Sequence, residues 1–334
     1  MGVYVIAEAG VNHNGDIEIA KQMILAAKNA GANAVKFQTF KAHESTGTFA
    51  EKAKYQKNND ATEESQIDMI RKLELPFEDF AVLKKLCEQN NIDFISTPDG
   101  EESLKCLVDL GVKLIKIGST EVTNHVFLRK IASTGKPIIL STGMSTLGEV
   151  EKALNVIYET GNKDVTIMHC TTDYPTDIEN VNLRAMKTMA DAFKVPVGFS
   201  DHTLSSEAAI AAVTLGAMVI EKHFTLSRFM KGPDHAASME PGELKEYITS
   251  IRNTERLLGD GIKRPTPNEV EIMKQTRRSI LAARDLKAGT VLSEDMLVFK
   301  RPGDGVYPEY ADLFIGRTVK RDLKQDEKIL WGDV

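Results

Sequence analysis

The sequence has few of the features that mark secreted, membrane or nucleic-acid-binding proteins. Its three cysteines, Cys87, Cys106 and Cys170, form no Cys-x-x-Cys pair, which argues against a disulfide framework or a cysteine-rich zinc site. Its longest apolar stretch, 208–220, falls short of the about 20 residues that a membrane-spanning helix needs. The chain starts without the basic segment of a secretory signal, its net charge is −6, and it has no Lys/Arg-rich run. We therefore expect a cytoplasmic protein that binds neither membranes nor nucleic acid.

The chain does have a regular succession of short apolar, β-branched runs, each followed by a helical pattern. Its composition is ordinary for a globular protein, with 42% apolar and 27% charged residues. The predicted strands are 4–7, 34–37, 93–96, 114–117, 137–140, 165–169, 196–199 and 218–220. The helical stretches include 17–27, 101–110, 147–158, 183–193, 205–215 and 241–258. Most strands lack polar alternation, which is typical of strands buried on both faces of a parallel sheet.

The number of these units favours a barrel over a doubly wound sheet. Eight strand–helix units within residues 1–260 predict an α/β fold of the (β/α)8, or TIM-barrel, type. The polar interval 41–72 interrupts the spacing, and we interpret it as an extended functional loop after the second strand.

The helical pattern stops near residue 260. Gly and Pro residues in 261–276 indicate a linker, and 277–334 predicts a small β-rich domain. Within that domain the segment 284–289 resembles 321–326, which suggests a duplicated β unit. A domain of this size is marginally stable alone, so we expect it to dock on the barrel or on a partner chain.

Polar residues follow nearly every predicted strand, at the ends where barrel enzymes place their active sites. They are Glu8, Lys36, Gln38, Ser96, Thr97, Lys116, Ser119, Glu121, Ser141, Thr142, His169, Thr171, Ser200, Asp201, His202, Glu221 and His223. A purely structural origin would place such groups at one or two strands, so we predict that the mouth of the barrel is the functional site.

His202 and His223 end neighbouring strands, so their rings can converge on one point. Two imidazoles with open positions suit a divalent transition metal that also binds substrate and water. The alternative is a pair of hydrogen-bonded histidines on the rim, because two ligands do not close a metal site. His13 lies in the loop 12–15, and we interpret it as a residue that shapes this loop, with a place in the site as the alternative.

Lys36 and Lys116 both enter the mouth from their strands. They can form a Schiff base or bind a phosphate and a carboxylate, and spacing alone does not decide between these roles. Glu8 and Glu121 are candidate acids or bases, with salt bridges to the lysines as the structural alternative. Arg301 follows Lys300 into a Pro-Gly turn, which on sequence alone indicates a surface residue.

Several short motifs follow one another over nearly the whole chain. They are AEAGVNHNG (7–15), VKFQT (35–39), ISTP (95–98), IKIGS (115–119), LSTGM (140–144), HCT (169–171), YPT (174–176), SDHT (200–203), EKHFT (221–225), GPDH (232–235) and KRPGDG (300–305). This ordered set resembles the sialic acid synthase family of nonulosonate synthases. The region 277–334 resembles that family's antifreeze-like SAF domain, which has a β-clip fold.

The resemblance implies a condensation of phosphoenolpyruvate with the open-chain form of an N-acetylated mannosamine-type sugar. The products would be a nine-carbon 2-keto-3-deoxy acid and phosphate. The implied cofactor is Mn²⁺, with Mg²⁺ or Co²⁺ as alternatives, held by His202 and His223. The implied assembly is a domain-swapped homodimer, in which the small domain of one chain covers the barrel of the other.

The resemblance also assigns roles to individual residues. The implied contacts of phosphoenolpyruvate are Lys36, Thr97, Lys116, Ser119, Ser141 and Ser200. The implied sugar contacts are Gln38, Tyr174, Asp234 and Arg301 of the partner subunit. The implied catalytic residues are Glu8, Glu121, His202 and His223, of which Glu8 acts as general base or stabilises charge near the attacking water.

The acceptor sugar stays open at this level. N-acetylmannosamine would give N-acetylneuraminate, whereas 2,4-diacetamido-2,4,6-trideoxymannose would give legionaminate. The loop segments 53–56 and 64–66 resemble both groups, and the opening 7–11 is closer to legionaminate-type members than to the others. Two residues depart from the family pattern: Asp99 stands where many members have Phe, and Thr120 where Gly is usual. An acid at the mouth is expected to change sugar specificity.

Two hypotheses of other classes compete with a synthase. A Schiff-base aldolase or lyase would use Lys36 or Lys116 and would be insensitive to EDTA. A non-catalytic polysaccharide- or ice-binding protein is suggested only by the C-terminal region, and it would need a regular Thr array that 277–334 does not contain.

Overall fold

The computed structural model describes residues 2–47, 50 and 65–334. The chain forms two compact units, Met1–Gly259 and Asp260–Val334. Half of the predicted loop 41–72, including the segment 53–56, lies outside the described residues.

The first unit is built on eight parallel strands, counted over the described residues. They are β1 (Tyr4–Gly10), β2 (Ala34–Thr39), β3 (Asp93–Pro98), β4 (Ile115–Ile117), β5 (Ile138–Ser141), β6 (Val165–Cys170), β7 (Val197–Asp201) and β8 (Val219–His223). Hydrogen bonds join them in the order β3-β2-β1-β8-β7-β6-β5-β4, and β3 and β4 lie side by side. This arrangement nearly closes the sheet and confirms the predicted (β/α)8 barrel.

Helices connect the strands. They are α1 (Ile17–Ala30), α2 (Ala42–Ser45), α3 (Gln66–Arg71), α4 (Phe77–Gln89), α5 (Glu101–Asp109), α6 (His125–Ala132), α7 (Leu147–Glu159), α8 (Arg184–Phe193), α9 (Glu207–Thr214) and α10 (Pro241–Leu258). The Asp16 side chain caps the start of α1, and Gly31, with a φ of 92°, ends it. Four helices, α2, α3, α4 and α6, were not among the predicted helical stretches, and α2 and α3 lie within the predicted loop 41–72. In α6 the eight residues are too few for a clear helical period.

The barrel interior alternates between an apolar floor and a polar mouth. Ile6, Ala34, Ile95, Ile139, Met168 and Val219 form one buried cluster. Two residues further along the same strands stand Glu8, Lys36, Thr97, Ser141, Cys170 and Glu221. Because residues i and i+2 of a strand share a face, this second layer lies directly above the apolar floor. Side chains of the other parity, such as Val5 and Phe37, pack against the helices.

The second unit contains α11 (Pro267–Thr276) and an antiparallel pair, β9 (Ser279–Ala282) and β10 (Leu297–Lys300). Part of the predicted linker 261–276 is thus helical. Pro267 is a normal first helical residue, and Thr266 forms a capping box with Glu269, so the Pro-Thr-Pro sequence starts a helix here.

The two repeated segments of this unit pair with each other. Leu286 and Leu323 exchange two backbone hydrogen bonds of 2.8 Å. Lys287 pairs with Asp322 at 2.6 Å, and Lys324 pairs with Asp285 at 3.0 Å, so each copy supplies the same ion pair to the other.

Two further findings concern the whole described chain. None of its helices is long and apolar enough to cross a membrane. Cys87, Cys106 and Cys170 are free thiols.

Candidate active site

A cavity of about 270 Å³ opens at the carboxyl ends of the barrel strands. Twelve of the predicted site residues line it: Glu8, Lys36, Gln38, Thr97, Lys116, Ser119, Ser141, Tyr174, Ser200, His202, His223 and Asp234. Glu121 lines a neighbouring depression instead, and Arg301 lies exposed in the second unit. The strand ends therefore bring together nearly all the candidates, as the alternation of the barrel interior requires.

The amine of Lys36 lies close to two carboxylates and one hydroxyl group. Its Nζ lies 2.8 Å from Glu8 Oε1 and 3.8 Å from Glu221 Oε1, and it donates to Thr97 Oγ1 at 3.3 Å. Burial opposes the charge of Lys36, but Glu221 and Glu8 outweigh that effect and raise its pKa. The amine therefore stays protonated at neutral pH and can hold an anion.

Lys116 stands on the other side of Glu221. Its Nζ donates to Ser141 Oγ at 2.6 Å and lies 3.6 Å from Glu221 Oε2. Burial lowers the pKa of Lys116, and Glu221 partly offsets this. The pKa of Glu221 falls to about 2 because Lys116 and Lys36 together outweigh the effect of its burial. The carboxylate of Glu221 thus links the two lysines.

His202 presents one nitrogen to the cavity. Its Nδ1 lies 2.6 Å from the Thr171 carbonyl oxygen and must donate to it, so Nε2 carries the lone pair. That Nε2 lies 3.3 Å from Ser200 Oγ. Burial, reinforced by His223, lowers the pKa of His202 to about 3, which keeps the ring neutral at pH 7.

His223 faces His202 across the end of the sheet. The two ring centroids are 5.4 Å apart, and burial, with help from Lys36, lowers the pKa of His223 to about 3. In the described part of the chain, its Nδ1 is a buried polar atom without a hydrogen-bond partner. The Tyr174 ring packs against both histidines, with centroids 4.2 Å from His202 and 5.4 Å from His223.

Glu8 and Asp234 supply further acid groups. Gln38 Nε2 donates to Glu8 Oε1 at 3.2 Å, whereas Glu8 Oε2 is buried without a partner among the described residues. Burial raises the pKa of Glu8 despite its contact with Lys36. Burial and the nearby Glu8 raise the pKa of Asp234 to about 6. These carboxyl groups are therefore better proton acceptors than ordinary surface acids.

The fourth strand and its neighbours provide a compact hydroxyl pocket. Ser119 Oγ accepts a 2.8 Å hydrogen bond from the Gly143 N–H and lies 3.3 Å from Cys170 Sγ. A Cβ at Gly143 would lie 2.2 Å from Thr172 Oγ1 and 2.9 Å from Ser119 Oγ. Only glycine fits at this position, so the backbone N–H of Gly143 can approach the pocket closely.

Two residues on the cavity wall were underrated from the sequence. Glu221 was only one of many strand-end residues, although its spacing of two from His223 places both on the same face of β8. Asp99 stands out in the sequence as a departure from a family pattern that is expected to change sugar specificity, but not as an acid with a perturbed pKa. Its side chain lines both the main cavity and the neighbouring depression, and burial, together with Glu121, raises its pKa to about 6.

Several other strand-end residues have structural partners. Ser96 bonds to Thr39, Thr142 bonds to the Met168 carbonyl, and His169 bonds to the Val181 carbonyl. These residues have the parity that points away from the barrel interior. Asp201 also faces outwards, Thr171 Oγ1 bonds to the Asn180 carbonyl, and Glu121 accepts from Asn124 at 2.7 Å.

His13 occupies a buried loop position outside the main cavity. Its Nδ1 accepts a hydrogen bond from the Gly15 N–H at 3.0 Å, which closes the turn. A Cβ at Gly15 would lie 2.6 Å from the Lys72 carbonyl oxygen, so this turn needs glycine.

Comparison with known proteins agrees with the motifs. The NeuB family model matches residues 23–263, and the SAF domain model matches residues 277–334. The N,N'-diacetyllegionaminic acid synthase of Campylobacter jejuni is 48% identical over 97% of this chain and 98% of its own. The enzyme of the same name from Legionella pneumophila is 45% identical over 100% of this chain and 95% of its own.

A solved structure extends the similarity to three dimensions. The N-acetylneuraminic acid synthetase of Leptospira borgpetersenii has a TM-score of 0.73 at 33% identity, and the match covers 82% of this chain and 90% of that one. The chain therefore belongs to the NeuB family of nonulosonate synthases and carries a C-terminal SAF domain.

Proposed function

We propose that this chain condenses phosphoenolpyruvate with open-chain 2,4-diacetamido-2,4,6-trideoxymannose, giving N,N'-diacetyllegionaminate and phosphate in a reaction that depends on a divalent metal ion. The observation that carries the proposal is one cavity in which two buried lysines face two neutral histidines. The lysines suit a small molecule with a phosphate and a carboxylate, and the histidines suit a metal ion. The choice of acceptor follows the activity named for the Campylobacter and Legionella relatives.

The charge balance of the cavity supports both ligands. Without a ligand, Lys36 and Lys116 are balanced by Glu8 and Glu221. A bound phosphate and carboxylate would add negative charge to a buried site that also contains Asp234. A divalent cation beside the ligand offsets that excess, and the low dielectric of the site strengthens each attraction.

The histidine pair fits such a cation. His202 offers the lone pair of Nε2, and the buried Nδ1 of His223 has no hydrogen-bond partner among the described residues. Imidazole ligands suit transition metals, and substrate and water oxygens suit Mn²⁺, so we propose Mn²⁺, the ion that the family resemblance implies. The described residues contain no group of three or more His, Cys, Asp or Glu able to hold a metal. In this proposal, substrate and water would supply the other ligands of the ion. When bound, the ion polarises the aldehyde oxygen of the acceptor as a Lewis acid.

The lysines and hydroxyls hold phosphoenolpyruvate. Lys36 and Lys116 exchange their glutamate partners for ligand oxygens, and charge-assisted hydrogen bonds of this kind are about twice as strong as neutral ones. The hydroxyls that complete this site are those of Thr97, Ser119, Ser141 and Ser200. Holding both substrates in line supplies about 7–11 kcal/mol of the barrier reduction.

Glu8 acts on the water molecule. The C3 atom of phosphoenolpyruvate forms a bond to the aldehyde carbon, and the oxygen of water adds to C2 while Glu8 takes its proton. The C2–O bond to phosphate then breaks, and phosphate leaves with the electron pair as the keto group forms. One proton of the water ends on the new hydroxyl group and the other on phosphate. The raised pKa of Glu8 and the free Oε2 atom support this role.

Gln38, Tyr174 and Asp234 complete the acceptor side of the cavity, and Asp99 lies at its edge. No described residue pairs with the Asp99 carboxylate, which leaves it free to accept a hydrogen bond from an N–H of the second acetamido group. We expect Asp99 to favour the diacetamido sugar over N-acetylmannosamine.

The remaining sugar contact, Arg301 of the partner subunit, requires a homodimer. Equal amounts of Arg301→Ala and His202→Ala chains, dissociated and reassociated together, should then recover about a quarter of the wild-type rate, because each mixed dimer holds one intact site. No recovery would mean that Arg301 serves the barrel of its own chain, and full activity of Arg301→Ala by itself would mean that Arg301 serves neither barrel.

The test of the proposed function is phosphate release from phosphoenolpyruvate with Mn²⁺ and the diacetamido sugar. We expect release that stops with EDTA, returns with Mn²⁺ and is absent in His202→Ala. Release that is indifferent to EDTA, with borohydride trapping of a keto acid on Lys36 or Lys116, would support the Schiff-base alternative instead.

A further inference from the structure

The strand ends that carry the two histidines are joined behind the active site by a buried ion pair. In the ladder between β7 and β8, Ser200 is opposite Glu221, and Asp201 is opposite Lys222. Ser200 and Glu221 face the cavity, so Asp201 and Lys222 point outwards into the layer between the barrel and α10. Each of these two residues immediately precedes a histidine of the proposed metal site.

The carboxylate of Asp201 is fully engaged. Its Oδ2 lies 3.1 Å from Lys222 Nζ and accepts from the Tyr247 hydroxyl at 2.9 Å. Its Oδ1 accepts from the Thr203 N–H at 2.9 Å and from Thr203 Oγ1 at 2.8 Å. Asp201 thus holds Thr203, the residue that follows His202, and it also holds the neighbouring strand β8 through Lys222.

Lys222 closes the same network from β8. Its Nζ donates to the Thr203 carbonyl oxygen as well as contacting Asp201, and it lies 5.4 Å from the centre of the Tyr247 ring. Asp201, Lys222 and Tyr247 are exposed by 0%, 1% and 1%, so the network is almost completely inaccessible to solvent. An ion pair as deeply buried as this is often no more stabilising than apolar residues of similar volume. A gain in stability alone is therefore a weak explanation for it.

The two histidines differ in what else holds them. The ring of His202 bonds to the Thr171 carbonyl, and its backbone carbonyl accepts from the Thr176 N–H at 2.8 Å. Among the described residues the ring of His223 has no hydrogen bond, and its backbone carbonyl accepts from the Met239 N–H at 3.0 Å. The strand end that Lys222 anchors therefore helps to set the position of His223 relative to His202, together with the β1–β8 ladder, in which Glu8 is opposite His223.

We propose that Asp201, Lys222, Thr203 and Tyr247 form a clamp that sets the separation of His202 and His223 and so tunes the affinity of the pair for a divalent cation. The inference rests on the proposed function, because it assumes that the two histidines bind a metal. The four residues of the clamp touch neither metal nor substrate, and they act as positioning residues through the backbone of β7 and β8. Outer partners of this kind typically change metal affinity by 10- to 100-fold.

The test is a titration of the metal-free full chain with Mn²⁺, followed by the electron paramagnetic resonance signal of the free ion. We expect Lys222→Met to weaken Mn²⁺ binding by about tenfold or more and Tyr247→Phe by a smaller factor. The zero-field splitting of the bound Mn²⁺ should also change in both variants. Tyr4→Phe is the matched control, because it removes a 2.7 Å phenol-to-carboxylate bond to Asp93 at the opposite end of the barrel. It should leave both readouts unchanged.

A double variant separates the effect of the clamp on Mn²⁺ affinity from its effect on the stability of the fold. Lys222→Met leaves the buried Asp201 charge unpaired, so adding Asp201→Asn should restore much of the melting temperature. The clamp predicts that Mn²⁺ affinity does not return with it. Unchanged Mn²⁺ binding in Lys222→Met and Tyr247→Phe, or full recovery of binding in the double variant, would overturn the clamp alone. Absence of Mn²⁺ binding in the wild type, or binding unaffected by His202→Ala and His223→Ala, would overturn both the clamp and the proposed metal site.

Discussion

The lysine–carboxylate pairs of the barrel mouth and those of the second unit use the same chemistry in opposite surroundings. Lys36 and Glu8 are exposed by 5% and 1%, whereas Lys287 and Asp322 are exposed by 84% and 57%. The exposed pairs lie where the two repeated segments exchange backbone hydrogen bonds, and they match the register in which these segments pair. The buried pairs lie beside orphaned polar atoms in a cavity. Burial at a cavity, beside polar atoms that have no partner among the described residues, rather than pairing as such, marks a charge that is held ready for a ligand.

The largest effect is expected at the centre of the buried group. Lys36→Met leaves Glu8 and Glu221 without a shared cation, and breaking a buried pair in this way typically costs about 3–5 kcal/mol. We expect a large fall in the free energy of unfolding, measured with urea, and no detectable phosphate release.

The control adds a second substitution at the same site. Glu8→Gln on top of Lys36→Met should recover stability but not activity, because the excess negative charge is reduced while the ligand site stays broken. A Lys36→Met protein as stable as the wild type would contradict the view that these charges are mutually dependent.

A smaller and pH-dependent effect is expected at Asp99. Burial, Glu121 and Glu44 raise its pKa to about 6, while Lys36 partly opposes them. The folded state therefore disfavours the ionised form, and Asp99 lowers stability as the pH rises through 6. We expect Asp99→Asn to raise the melting temperature more at pH 8 than at pH 5.

The same variant tests acceptor choice. Asp99→Asn should raise the KM for the diacetamido sugar while changing that for N-acetylmannosamine little. An equal change in both KM values would show that Asp99 does not distinguish the acceptors, whatever its effect on stability.

The smallest effect is expected in the exposed pairs. Lys287→Met removes one of two equivalent ion pairs between the repeated segments, and solvent already screens that pair. We expect a melting temperature and a phosphate-release rate that match those of the wild type. A loss of stability comparable to that of Lys36→Met would break the comparison between the two regions.

The fold and most of the site followed from local sequence patterns. The β-branched runs located all eight strands, because strands buried on both faces lack the alternation of apolar and polar residues over most of their length. Their polar ends then located the cavity, because parallel strands in a barrel end on one face. Parity along a strand also separates Glu221 and His223, which face the cavity, from Asp201 and Lys222, which face the helices.

What could not be predicted depends on turns and on long-range contacts. Glu121 follows β4 by way of Gly118 and a 3₁₀ turn, so strand parity no longer tells where its side chain points. The central role of Glu221 depends on two lysines from β2 and β4, which precede it by 185 and 105 residues. The helix α11 was not predicted because Thr266, which caps it, and Pro267, its first residue, are also typical of a linker.

The most direct test of the central claim is a competition between the two acceptors. Phosphoenolpyruvate and Mn²⁺ are supplied with equal amounts of 2,4-diacetamido-2,4,6-trideoxymannose and N-acetylmannosamine, and the nine-carbon acids are identified by mass. We predict that N,N'-diacetyllegionaminate forms first and that its formation stops when EDTA is added. Formation of N-acetylneuraminate alone, or of neither acid, would contradict the account.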